Sequence, residues 1–388
     1  RGMKVSIVEM LPQLLGPLDE EMAILLQKDL ERRGVDVITG DGISEFSPAE
    51  SDAESTTVLL KSGKQLPPAH MVILGLGVRP DTDIIKQAGI ECTRRGHIVV
   101  DDQLRTSAPN VWAVGDAIEV RNPILSDPNE KWAVALAGPA NRQGRLVADN
   151  IYGRGTAYKG TYGASVVRVF DLMAACVGVN EKILKAKNLP HAAVHVHPGS
   201  HAGYFPGAKS INFKLLFNPE DGHIYGAQAV GEDGVEKRID VVSTAMQGNL
   251  TVDDLADLEL CYAPPVGSAK DPVNMAGMVA QNVVAGLVKQ IDWKELENAS
   301  ADPDAVVLDV RNPGEISSTR NIVEGAINIP LNDLRGKLKE IPHDKRIIVA
   351  CYSGQRAYYA CRILSQNGFE RVENLSGAYK TYSSIKFD

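Results

Sequence analysis

Between Asp19 and Arg33 the apolar positions Met22, Leu25, Leu26 and Leu30 fall at helical spacing, and Gly34 follows as a stop signal. Short continuous apolar runs frame this helix, Lys4–Glu9 (KVSIVE) before it and Val35–Thr39 after it, the pattern of strands buried on both faces. A polar hairpin region spans Ser47–Lys64, and Met71–Gly77 (MVILGLG) predicts a further strand running into Val78-Arg79-Pro80. Strand, helix, strand, meander and strand make the back half of a doubly wound α/β domain. Ile98–Val100 and Val111–Val114 predict two more buried strands, the second ending at Gly115-Asp116. A helix is expected from about Ala135 to Tyr152.

From Ala164 to Val230 the pattern changes to strand alternation (SVVRVF, AAVHVH, NFKLLF, GAQAV). Helices follow near Gly234–Met246 and Thr251–Leu258, which makes an α+β unit. Asn274–Val288 reads as a small-residue helix and Lys289–Asp292 as a linker. Val306–Val310, Ile327–Ile329, Ile347–Ala350 and Val372–Asn374 then alternate with helices, Gln355–Gln366 among them, in a second compact α/β unit. Arg1-Gly2 looks like a helix end with its glycine cap, and a parallel strand at Lys4–Glu9 needs a neighbour reached through a crossover. The sequence is therefore expected to be truncated ahead of residue 1.

Composition narrows the function classes. The 388 residues predict two to three domains. Forty-one basic against 49 acidic residues give a formal net charge of −8 with no long charge run, which argues against nucleic-acid and anionic-membrane partners. No apolar stretch reaches the about eighteen residues of a membrane span. Five cysteines, an odd number spread thinly, point away from a disulfide framework and toward a reducing, cytoplasmic setting.

Three groups of motifs carry chemistry. The segment Thr106-Ser-Ala-Pro-Asn-Val-Trp-Ala-Val-Gly115-Asp116 resembles the second flavin-binding motif of the pyridine nucleotide–disulfide oxidoreductase family. The resemblance implies that Gly115-Asp116 lies on FAD, with the Asp116 carboxylate accepting from the ribityl chain. Ala137-Gly138-Pro139-Ala140 opens the following helix, whose unpaired N–H groups would face the electron-rich pyrimidine edge of a reduced flavin. Glu9 stands where a dinucleotide fold places the acid on a ribose hydroxyl. A carboxylate there favours NADH, because it repels a 2′-phosphate. Gly75-Leu-Gly77-Val-Arg-Pro80 is not a phosphate-cradling turn, and Gly77 reads as the strand end beside the nicotinamide cofactor.

His201-Ala-Gly-Tyr204-Phe-Pro-Gly-Ala and Tyr262-Ala-Pro-Pro-Val-Gly-Ser-Ala-Lys-Asp-Pro-Val-Asn274 resemble the dimerisation domain of coenzyme A disulfide reductases and persulfide reductases. This implies a homodimer in which Tyr204 and Tyr262 reach the partner subunit's active site and contact the sulfur chemistry. Without the resemblance, both phenols could equally pack under proline-rich turns. Asn141, Arg142 and Arg145 are candidates for a coenzyme A phosphate; a solvated helix face or a dimer contact is the alternative.

Leu308-Asp309-Val310-Arg311, Gly325-Ala-Ile-Asn-Ile-Pro330, Cys351-Tyr-Ser-Gly-Gln-Arg356 and Asn374-Leu-Ser-Gly-Ala378 resemble the hallmarks of a single rhodanese domain, in order. Independently of the resemblance, Cys351 ends a buried strand. Tyr352, Ser353, Gly354 and Gln355 then form a loop whose N–H groups converge on the sulfur, with a helix dipole behind them. Such a site stabilises the extra anionic sulfur of a persulfide. Arg356 adds charge or braces the loop, with Asp309 as its expected partner. One departure is Arg320-Asn-Ile-Val-Glu324, which stands where the family carries Gly-His-Ile. Cys92, Cys176, Cys261 and Cys361 read as packing residues. His195-x-His197-x3-His201 lacks fixed tetrahedral geometry, so no metal is expected.

The resemblance implies an α/β chain with partial doubly wound FAD/NAD(P)-binding domains (1–78 and 79–158), an α+β dimerisation domain (159–288) and an α/β rhodanese domain (293–388). It implies a flavin-dependent NADH:coenzyme A disulfide or persulfide reductase acting on small thiol and persulfide substrates, with a sulfurtransferase cysteine. Its flavin-side redox cysteine and Gly-rich turns would lie before residue 1. The alternatives are an NADH oxidase or peroxidase of the same flavin family, and a sulfurtransferase on a non-redox dimer scaffold.

Overall fold

The computed structural model describes residues 2–50, 52–125, 127 and 130–387. The chain divides into two units, Arg1–Gly40 with Val166–Asp388, and Asp41–Ser165, so the expected domain 1–78 falls partly in each. The first unit opens with β1 (Val5–Glu9), α1 (Glu20–Arg32) and β2 (Val35–Thr39), the strands parallel with Val5 opposite Val35. Gly34 ends the helix region at φ 83°, a left-handed conformation that glycine adopts without strain. Of the apolar stripe seen in the sequence, Met22 and Leu26 pack with Leu18, Ala174 and Val230, and Leu25 lies against them.

The second unit holds the hairpin β3 (Ile43–Ala49) and β4 (Asp52–Leu60), α2 (Asp83–Gln87), the pair β5 (Val120–Arg121) and β6 (Lys131–Trp132), and α3 (Ala137–Ile151). Ile98, Val100, Leu104, Ile118 and Val120 form its core, with Leu146 and Val147 of α3 packed on them. Three expected strands differ here. Met71–Gly77 is irregular, with Met71, Ile73 and Leu76 exposed at 77%, 83% and 82%. Ile98–Val100 and Val111–Val114 contribute only isolated bridges, Ile98 to Cys92 and Ile118, and Trp112 to Arg105. An apolar run signals burial, but a strand also needs a ladder partner. Residues 71–77 have none among the described residues.

The first unit continues with β7 (Ser165–Val169), β8 (Leu172–Gly178), α4 (Glu181–Ala186), β9 (Ala192–Val196), β10 (Ile211–Phe217) and β11 (Ile224–Gly231), in a sheet ordered β7-β8-β11-β10-β9. Helices α5 (Val235–Gln247), α6 (Val252–Asp257) and α7 (Pro272–Val284) follow. β8 was not legible as a strand, because Ala174-Ala175-Cys176 shows no apolar–polar alternation. β11, expected from the GAQAV run, is buried along its whole length because both of its faces are covered.

Within this sheet Lys214 of β10 is fully buried. Its ammonium lies 2.9 Å from Asp19, 2.5 Å from Glu21 and 2.6 Å from Glu181. Burial alone would push the Glu21 carboxyl up, but Lys214 and His195 overcome it and hold the group below the ordinary carboxylate range. Burial likewise opposes a charged Lys214, and the three carboxylates hold its pKa above the ordinary lysine range.

The expected linker is instead a strand. β12 (Lys289–Ile291) runs parallel to β16 (Val372–Leu375) at the edge of a sheet ordered β12-β16-β15-β13-β14, with β13 (Ala305–Asp309), β14 (Ile327–Asn328) and β15 (Arg346–Ala350). The four residues are too few and too polar to show a strand pattern, and only the ladder to β16 defines them. Helices α8 (Trp293–Ser300), α9 (Pro313–Ser318), α10 (Gln355–Gln366) and α11 (Ala378–Lys386) complete this domain. All its paired strands are parallel, with an apolar cluster around Leu308, Val349 and Leu364 and another around Val307, Ile348 and Tyr379. Polar contacts fasten it within the unit: Lys294 to Glu20 at 2.8 Å, the Arg362 guanidinium to the Leu287 carbonyl at 2.6 Å, and the Tyr358 hydroxyl to Asn282 at 3.2 Å. No helix among the described residues is long and apolar enough to cross a membrane.

Replacing Lys214 with Met leaves the buried Asp19 and Glu21 and the half-buried Glu181 without their shared cation. Lys214→Met is expected to lower the unfolding free energy of the full chain by about 3–5 kcal/mol, read from urea denaturation followed by circular dichroism.

Candidate functional site

In the 289–387 domain β13 leads to β14 on one side of the sheet and β15 leads to β16 on the other. Strand order therefore reverses between β13 and β15, and in open parallel sheets the carboxyl ends at such a reversal form the binding crevice. Cys351 is the residue after β15, and Asp309, in register with Ala350, ends β13. The Cys351 side chain is buried, and the Gly354 N–H donates to its sulfur at 3.1 Å. Gly354 has φ 103°, which only glycine adopts without strain, and it caps α10. The first N–H groups of α10 have no partner within the helix. Of the converging amides expected from the sequence, the Gly354 bond is the one formed to sulfur.

Arg356 does not pair with Asp309, as the sequence reading expected. Its guanidinium makes a two-pronged contact with Glu315 at 2.6 Å and 2.6 Å. The Glu315 carboxyl is pushed down to about 2, chiefly by these hydrogen bonds. Asp309 binds the fully buried Arg311 instead, through both carboxylate oxygens. The two charged residues share one strand end two positions apart, so this closure is local. Arg311 lies over the Tyr379 ring at 4.2 Å, and Tyr352 stacks on that same ring at 6.1 Å. Asp309 thus supports the loop from beneath through Arg311 and Tyr379.

Glu315 is the residue that sequence reasoning missed. Its signal is present as Asn312-Pro-Gly-Glu315, a capping box in which the Asn312 N–H donates to Glu315 at 3.0 Å. Cys361, also buried, has its thiol pushed up by burial and then by Cys351, which fits a packing role.

Tyr204 and Tyr262, 58 positions apart, are brought together: their hydroxyls lie 2.7 Å from one another. Both are exposed, at 76% and 45%. The hydrogen bond shared with Tyr204 holds the Tyr262 phenol above its ordinary pKa.

In the 41–165 unit the Gly115 N–H donates to Gln143 of α3 at 2.7 Å, which sets Gly115-Asp116 beside the first turn of that helix. Asp116 is exposed and has no partner among the described residues, and Ala137 and Gly138 at the helix start are exposed as well. An unpaired carboxylate beside uncovered helix N–H groups matches the chemistry of a ligand carrying both hydroxyls and an electron-rich edge. Asn141, Arg142 and Arg145 lie exposed on α3, with Asn141 bonded back to the Ala137 carbonyl at 3.0 Å. Gly77, at φ 86°, lies in the exposed 71–78 segment. Glu9 ends β1 and accepts from the Leu11 N–H at 2.8 Å.

The three histidines do not converge. His195 bonds Ser376 and Glu21, His197 bonds Asn212 and Thr381, and His201 contacts the Ala202 carbonyl. Asp19, Glu21 and Glu181 do cluster, but Lys214 lies among them as their common cation.

Residues 1–144 match the pyridine nucleotide-disulphide oxidoreductase family, 164–272 its dimerisation domain and 292–385 the rhodanese-like domain. The structure of reduced Bacillus anthracis CoADR-RHD is 44% identical with a TM-score of 0.93, over 99% of this chain and 67% of that one. A NAD-dependent persulfide reductase from A. fulgidus is 35% identical with a TM-score of 0.86, over 99% of this chain and 68% of that one. A coenzyme A disulfide reductase of Staphylococcus epidermidis is 32% identical over 72% of this chain, and the name NADH oxidase also occurs among the curated relatives. The chain spans 61% of the length of the Staphylococcus relative. On these matches the chain belongs to the pyridine nucleotide-disulphide oxidoreductase family, with a rhodanese-like domain following its dimerisation domain.

Proposed function

We propose that this chain is part of a flavin-dependent NADH:coenzyme A disulfide or persulfide reductase whose rhodanese-like domain carries sulfane sulfur on Cys351. The observation that carries this reading is the buried Cys351 sulfur at the switch point of the parallel sheet, under the Gly354 N–H and beside an Arg356 locked by Glu315. The Cys351 thiolate attacks the outer sulfur of a donor such as thiosulfate, the donor's S–S bond breaks, and sulfite leaves. The persulfide that forms passes its terminal sulfur to a nucleophile, cyanide in an assay, and the thiolate returns. Main-chain N–H groups and the Arg356 charge suit the negative charge that resides on the outer sulfur.

FAD would be held by Gly115, Asp116 and the α3 start at Ala137, and when bound it would carry reducing equivalents from NADH to a disulfide or persulfide. Glu9 and Gly77 are the proposed NADH contacts, and Asn141, Arg142 and Arg145 the proposed contacts of a coenzyme A phosphate. In the reductase half, NADH and a persulfide RSSH yield NAD+, RSH and HS−, so hydrogen and charge balance. Tyr204 and Tyr262, sharing one hydrogen bond, orient the sulfur group and supply a proton to it in the partner subunit of a homodimer. An odd number of cysteines, five spread thinly along the chain, supports a reducing, cytoplasmic setting.

Cys351→Ser in the full protein is expected to abolish cyanide-dependent sulfur release from thiosulfate while leaving NADH oxidation by coenzyme A disulfide intact; unchanged sulfur release would overturn the assignment. Tyr204→Phe/Tyr262→Phe is expected to slow persulfide-dependent NADH oxidation by about 100-fold without altering NADH consumption by oxygen. The reverse pattern would favour an NADH oxidase.

A further inference from the structure

The closing turn of the rhodanese-like domain is held by a strand of the dimerisation sheet. On β9 the His195 main-chain N–H donates to the Ser376 hydroxyl at 3.0 Å, and His195 Nδ1 lies 2.9 Å from the same oxygen. Two residues on, His197 Nε2 lies 3.0 Å from the Thr381 hydroxyl and 3.2 Å from the Gly377 carbonyl. Burial pushes the His197 imidazole down to about 3, so the ring is neutral at physiological pH. Its Nδ1 lies 2.9 Å from the Asn212 amide oxygen, so the ring bridges β10 and the turn, each ring nitrogen donating or accepting according to the tautomer. Behind the pair, His195 Nε2 contacts Glu21 at 3.1 Å, and Glu21 is a member of the Lys214 cluster.

The turn itself is tight. Gly377 has φ 68°, and a Cβ there would come within 2.9 Å of the His195 Cβ. Ala378 next to it has φ 49°, a strained conformation for alanine that persists only where its surroundings over-determine it. Immediately afterwards, the first turn of α11 meets the sulfur loop. The Tyr379 N–H donates to the Cys351 carbonyl at 3.0 Å and the Lys380 N–H to the Tyr352 carbonyl at 2.9 Å. In a trans peptide the N–H points opposite to its C=O. Holding those two carbonyls therefore fixes the directions of the Tyr352 and Ser353 N–H groups beside the sulfur.

We propose that His195 and His197 of the dimerisation sheet are positioning residues for sulfur transfer at Cys351, acting through the Ser376–Gly377 turn and the first turn of α11. The two catalytic halves of the chain are then mechanically joined: the reductase's own sheet sets the geometry of the sulfurtransferase loop. This inference rests on the reading of Cys351 as the sulfur carrier. A purely structural dock would contribute stability alone, whereas a positioning role also acts on the rate of the chemical step.

The test uses the full protein. His197→Ala, His197→Gln, Ser376→Ala and Thr381→Val are each assayed for kcat and KM of thiosulfate-to-cyanide transfer, for the rate of Cys351 alkylation by iodoacetamide, and for the urea midpoint. His197→Ala and Ser376→Ala are expected to lower kcat and slow alkylation by about tenfold with KM for thiosulfate little changed, and His197→Gln to recover most of the rate. Thr381→Val keeps the test open if His197→Ala does not fold, and it is expected to move kcat in the same direction. A lowered urea midpoint with unchanged kcat and alkylation would overturn the proposal. Cys351→Ser is assayed in parallel: if it retains transfer, the sulfur-carrier reading fails, whereas loss in Cys351→Ser with wild-type rates in the turn variants sinks this inference alone.

Discussion

One buried ammonium organises the larger unit. Lys214 cannot stay charged in an apolar sheet unless carboxylates surround it, and the three that do so come from the start of α1 and from α4. Among the described residues Lys214 is the one ammonium that all three carboxylates share, so these elements are held to one arrangement rather than to a range of apolar packings. Asp19 also bonds Gln228 of β11 at 2.7 Å and the Glu181 N–H at 3.1 Å, which extends the network across the sheet. His195 continues it to Ser376, so a charge cluster in the dimerisation sheet reaches the closing turn of the rhodanese-like domain.

The sulfur site shows a different division of labour. Parallel topology places Cys351 at the crevice, and local chemistry then supplies what surrounds it: a glycine that turns the loop back onto sulfur, a helix start behind it, and a guanidinium fixed in orientation by Glu315. Asp309, Arg311, Tyr379 and Tyr352 form a stacked support underneath. The order of the loop thus comes from contacts on several elements, and no single residue of the Cys351–Arg356 motif provides it.

Much of the fold was legible where one residue's neighbours settle its state. The α1 stripe, the start of α10 at Gln355 and the four principal strands of the rhodanese-like domain all show in local apolar pattern and capping. Less was legible where a partner decides. Residues 71–77 look like a strand and are not one, Lys289–Asp292 looks like a linker and supplies an edge strand, and β8 hides in a run of small residues. Residues 71–77 meet no ladder partner among the described residues, and β12 pairs with the sequence-distant β16; such pairing leaves no mark on the pairing residues themselves.

The sequence by itself determined the Cys351–Arg356 loop motif, the two tyrosine motifs and the Gly115-Asp116 motif, because each depends on residue type within a few positions. Only the tertiary structure decided their partners. Arg356 chose Glu315 over Asp309, Tyr204 met Tyr262, and two histidines with ligand-like spacing became the hold on a turn 180 residues away. Charged and polar groups bond to whatever the fold brings within about 3 Å. That distance is set by packing across the whole chain, which local pattern does not encode.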